Sequence, residues 1–111
     1  MLSESNGKLL VLASSYALPT KRFKPINLAV EKMAKLLRTD VEIVIFKKQF
    51  KPIYVYYKSG EEEKVPIYCD NGDELDSQTI YSTLKDMIFV LSFHPKHSWL
   101  KKIREEFMQF S

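Results

Sequence analysis

Two histidines, His94 and His97, stand three apart in HPKH, a spacing at which one tight turn offers both rings to a single metal ion. Zinc takes three or four ligands from Cys, His or carboxylate. The only thiol, Cys69, lies well upstream with no histidine or second cysteine near it, so no metal is expected and the pair reads as the polar corner between two helices. Nucleophilic catalysis needs a positioned base, and no strand-to-helix elbow of the G-x-S-x-G kind is present. The three glycines, Gly7, Gly60 and Gly72, are isolated, so no loop cradles a phosphate. The carboxylates of DNGDELD (70–76) lack the D-x-[DN]-x-[DN]-G spacing of a calcium loop and read as a helix entry. The expectation is a non-enzymatic protein with no cofactor.

Two other constellations point to binding. The hexapeptides KRFKPI (21–26) and KQFKPI (48–53) differ at one position and set lysine and arginine around a phenylalanine. Cations neutralise phosphates and an exposed ring stacks on a base. Lys21, Arg22, Phe23, Lys47, Lys48, Phe50 and Lys51 therefore form a candidate surface for single-stranded nucleic acid. The C-terminal segment offers the second surface. Trp99, Phe107 and Phe110 share one helical face, with Phe93 just before it, and these residue types anchor protein interfaces. The opposite face carries Lys101, Lys102 and Arg104, but Glu105 and Glu106 argue against docking on a membrane surface.

The elements that position these residues follow from periodicity. Leu9, Leu12, Ala13 and Tyr16 recur at i, i+3, i+4 and i+7, which predicts a short helix ended by Pro19. Pro25 disfavours helical dihedrals at Lys24, and Asn27 is the expected cap of a helix over 28–38 whose core face is Ala29, Met33, Leu36 and Leu37. From Thr39 the period becomes two: Val41, Ile43 and Ile45 on one side of a strand, Glu42, Val44 and Phe46 on the other, with both sides expected to be covered. The run 53–57 and a strand over 64–69 complete an antiparallel meander, with Pro66 placing the last strand at a sheet edge. Asp76 or Ser77 caps a helix with the stripe Ile80, Leu84, Met87, Ile88 and Leu91. His94-Pro95 breaks it, and Ser98 caps a last helix. The predicted fold is α+β, a three-stranded antiparallel sheet in the order helix-helix-strand-strand-strand-helix-helix.

With 111 residues, 45% of them hydrophobic, the chain is long enough for one domain with one core. A net charge of +3 falls short of the strongly basic balance of a dedicated nucleic-acid domain. One cysteine allows no internal disulfide, and the apolar run 9–13 is too short for the core of a signal peptide. A cytoplasmic protein is expected, with no membrane span.

The stretch LASSYALPTKRFKPINLAVEKMAKLLRTDVEIVIF (12–46) resembles the opening half of a GAF domain, in which a helix and loop lead into a helix that runs straight into a first strand. IYSTLKDMIFVLSF (80–93) is similar to the closing helix of that fold. The likeness covers about half the chain and lies in hydrophobic pattern. The stretch between the third strand and the closing helix is too brief for ligand-covering strands. The resemblance therefore implies a degenerate, dimerising version of the fold, and a small-molecule sensor as an alternative. The function expected first is that of a regulatory or adaptor protein that binds another protein or itself, as a homodimer.

Overall fold

The computed structural model describes residues 7–17, 20–47, 52–60, 63–70, 75–95, 97, 100, 101 and 104. Within them the order is β1 (Lys8–Ser14), α1 (Phe23–Leu37), β2 (Asp40–Phe46), β3 (Ile53–Lys58), β4 (Val65–Asp70) and α2 (Ser77–Leu91). The strands form one mixed sheet in the order β2-β1-β3-β4. β1 runs parallel to β2, and β3 is antiparallel to both β1 and β4.

This corrects the expected three-stranded antiparallel sheet. The segment predicted as the first helix is the strand β1, central and paired on both sides. Its burial explains the misreading. Leu9, Val11 and Ala13 face the helices while Leu10 and Ser14 are buried on the other side. A strand covered on both faces loses its period-two alternation and becomes an apolar run, from which a helical spacing is easily extracted. The parallel partner then requires a crossover, and α1 supplies it. Among the described residues there are two helices, not four. The predicted last helix lies largely outside them, with Leu100, Lys101 and Arg104 in helical conformation.

Helix α1 begins five residues before the expected start at Leu28, with Arg22 rather than Asn27 at its cap. Pro25 falls in the first turn, where backbone N–H groups have no partner inside the helix, so its missing donor costs nothing there. The helix ends at Arg38, whose left-handed backbone (φ 57°) turns the Thr39 N–H back onto the Ala34 carbonyl at 3.0 Å. Helix α2 is capped by Asp76, whose carboxylate accepts the Thr79 N–H at 2.8 Å, as read from the sequence.

Both helices lie on one side of the sheet. Ile26, Val30, Met33 and Leu37 of α1 and Ile80, Leu84 and Ile88 of α2 enclose a core with Leu9, Val11, Val55, Tyr57 and Ile67. Leu100 is fully buried in the same core. No helix among the described residues is long and apolar enough to cross a membrane.

Candidate functional site: the two edges of the sheet

A sheet edge presents unpaired N–H and C=O groups, and folds usually blunt it with proline, lysine, bulges or a covering element. The two edges here are built in opposite ways. On β4, Pro66 removes a ladder donor and a register shift falls opposite Val55 and Tyr56. Lys64 precedes the strand and holds its ammonium 5.3 Å from the centre of the Tyr56 ring. That edge is blunted, and β4 lies at a sheet edge as Pro66 predicts.

β2 shares only the flanking lysine, Lys47. It contains no proline and keeps register with β1 over seven consecutive pairs, Lys8 with Asp40 through Ser14 with Phe46. Among the described residues no strand pairs with its outer side. Its apolar side chains are left in water: Ile43 is 41% exposed, Val44 38% and Ile45 50%. The register puts Ile43 and Ile45 on the helix side with Val11 and Ala13, and Val44 on the other side with Leu12. The strand read from sequence as covered on both faces is therefore exposed on both. The physical reason is that α1 covers β1 and only the start of β2, where Val41 packs against the core, while α2 reaches toward β4, so Ile43 and Ile45 further along β2 find nothing above them. Near its start the Lys8 ammonium lies 3.1 Å from Glu42, with both side chains about half exposed.

The sheet face away from the helices carries a second feature. Tyr54 and Tyr56 sit on β3 with ring centres 6.1 Å apart. Cys69 pairs with Tyr54 across the strands and is exposed. The neighbouring Cys69 pushes the Tyr54 phenol above its ordinary value, with a smaller contribution from burial.

The β1–α1 turn is the part of a βαβ unit where a C-x-x-C redox dithiol is read when one is present. Here the stretch 15–22 holds no cysteine. It is closed instead by hydroxyls: Thr20 donates to the Ala17 carbonyl at 2.6 Å and the Ser14 hydroxyl accepts the Tyr16 N–H at 3.1 Å.

The residues singled out for nucleic acid are not assembled as one surface. Lys21 and Lys47 are exposed, but Arg22 is engaged by Asp70 and Phe23 packs against the core. Lys48, Phe50 and Lys51 lie outside the described residues. Of the aromatic protein-binding set, Phe93 is 60% exposed at the end of α2. Its ring meets Phe89 edge to face at 5.1 Å, and the Arg104 guanidinium lies 4.1 Å from its centre. Trp99, Phe107 and Phe110 lie outside the described residues. The histidines do approach each other, with ring centres 5.4 Å apart, but His97 is buried edge-on against Tyr57 at 5.5 Å. Among the described residues no group of three His, Cys, Asp or Glu is placed to hold a metal.

The sequence marks β2 as a strand but not as an exposed edge. The signal for pairing was present: a six-residue apolar run broken only by Glu42, with no proline or glycine, which is the composition of a strand prone to pair. No family model, curated protein or solved structure matches this chain. The likeness to a GAF domain rests on hydrophobic pattern alone.

Proposed function

We propose that this chain is a non-enzymatic protein-binding module of the regulatory or adaptor kind, and that its binding surface is the outer edge of β2. The observation that carries this reading is the contrast between the two edges of one sheet. β4 has a proline and a bulge against pairing, whereas β2 has neither and exposes Ile43, Val44 and Ile45 along an edge with which no described strand pairs. A strand added there gains main-chain hydrogen bonds along the edge and side-chain contacts on both faces. The partner surface in this reading is the β2 edge rather than the C-terminal aromatics.

The test is photo-crosslinking in the cell from a benzophenone amino acid at Ile45, with the same group at Val90 on α2 as control. Polypeptide adducts from Ile45 that are absent from Val90 are the expected result. Adducts from Val90 with none from Ile45 overturn the edge as the site.

A second reading has one observation in its favour. Tyr54 and Tyr56, with Lys64 over the latter, form an aromatic and cationic patch on the open sheet face, of the type on which single-stranded nucleic acid stacks. It predicts oligonucleotide retention that falls with salt and is lost in a Tyr54→Ala, Tyr56→Ala double variant. Retention unchanged in that variant removes it.

A further inference from the structure

We infer that the chain occupying the β2 edge is a second copy of this protein, paired antiparallel about a two-fold axis at Val44. The inference rests on the edge reading above and adds the identity and register of the partner.

Charge sets the orientation. β2 begins with Asp40 and Glu42, and the residue after its end is Lys47, followed in sequence by Lys48. A parallel copy in register would set acid against acid and lysine against lysine. An antiparallel copy avoids both, because it places Asp40 and Glu42 of each strand at the end of the ladder where Lys47 of the other lies.

Symmetry and side-chain parity set the register. Directly opposed residues in an antiparallel pair share a face, so a two-fold axis normal to the sheet passes through one residue and its own copy. An axis at Glu42 would oppose two carboxylates. The exposed apolar run 43–45 is centred on Val44. An axis there opposes Val44 to Val44 on one face and Ile43 to Ile45, twice, on the other. It joins two four-stranded sheets into one and removes both exposed edges. A surface that is its own complement in charge, shape and hydrophobic pattern is what an isologous dimer requires.

The experiment is light scattering on the full chain. The expected mass is twice the 13.0 kDa of one chain. Val44→Lys and Val44→Glu should each give the single-chain mass, because each sets like charges against one another at the axis. An equimolar mixture of the two variants should recover the doubled mass as a mixed dimer, which misfolded variants would not do. Val90→Lys, on an exposed site of α2, should leave the dimer intact.

A single-chain mass for the unmodified protein at about 100 µM overturns the inference. So does a doubled mass that persists in Val44→Lys, or a mixture that fails to recover it. The broader reading is separable: a monomer that still crosslinks from Ile45 to a different polypeptide keeps the edge and loses only the second copy. A monomer that gives no adduct from Ile45 loses both.

Discussion

Arg22 and Asp70, 48 residues apart in the chain, form an ion pair with a buried member. The Arg22 Nη2 lies 2.6 Å from the Asp70 Oδ2, and its Nε–H donates to the same oxygen at 2.7 Å. Asp70 is 2% exposed. The pair fastens the start of α1 to the end of β4, two points that neither helix packing nor the sheet ladder connects. It also explains why an arginine that looked available for phosphate is not displayed for that purpose.

Removing the cation alone should be costly. Arg22→Ala leaves a carboxylate buried without its counter-charge, and the expected loss is about 3 kcal/mol, the low end for a buried pair because the guanidinium is partly wet. Urea denaturation measures it. A loss within about 0.5 kcal/mol, the range of an ordinary surface substitution, would show that water replaces the arginine without penalty.

Gly7 enters β1 with φ +88°, a conformation that side chains disfavour. A Cβ there would stand 2.6 Å from the Lys58 carbonyl oxygen and 2.9 Å from the Tyr57 phenol oxygen. Tyr57 is fully buried and cannot move aside. Gly7→Ala should therefore lower stability by about 2 kcal/mol, combining strain with the clash. An unchanged thermal midpoint would show that β1 begins elsewhere in solution.

The Asp76 cap gives a pH dependence of known sign. The Thr79 backbone N–H, the larger cause, holds its carboxyl below the ordinary 3.8. A depressed folded value means that the cap stabilises fully above the ordinary value and loses its contribution as pH falls through the lower one. The stability difference between the unmodified chain and Asp76→Asn should thus be present at neutral pH and shrink on acidification below the ordinary carboxyl range. A difference that is constant with pH would show that the charge contributes nothing beyond the hydrogen bond.

Phe93 tests the displaced aromatic surface. With Phe89 at its edge and Arg104 over its face, it closes a local cluster at the end of α2. Phe93→Ala should lower stability by about 1 kcal/mol through the lost ring and cation contacts. It should leave the solution mass unchanged. A change of mass would return the association surface to this end of the chain.

Local chemistry made several elements legible in advance. Asp76 three residues before Thr79, followed by the stripe Ile80, Leu84 and Ile88, marks α2 by itself, because a cap and a periodic face are both short-range features. Pro66 marks an edge strand for the same reason, since a missing donor excludes a central position. The alternation of 41–46 marks β2 as a strand. What it could not mark was exposure. Ile43 and Val11 have the same side-chain chemistry and face the same side of the sheet, yet Val11 is fully buried and Ile43 is 41% exposed. The difference lies only in which strand the helices cover.

β1 shows the same division from the other side. Its apolar run made burial the expectation, as it did for β2, because hydrophobic transfer favours removing such residues from water. Whether it is buried as a helix or as the central strand was decided by partners far along the chain, β2 on one side and β3 on the other. Composition and caps are properties of neighbours in sequence, so they were determined by the sequence read locally. Strand order, the open edge at β2 and the Arg22–Asp70 pair depend on which distant segments meet, and that was settled only when the chain closed on itself.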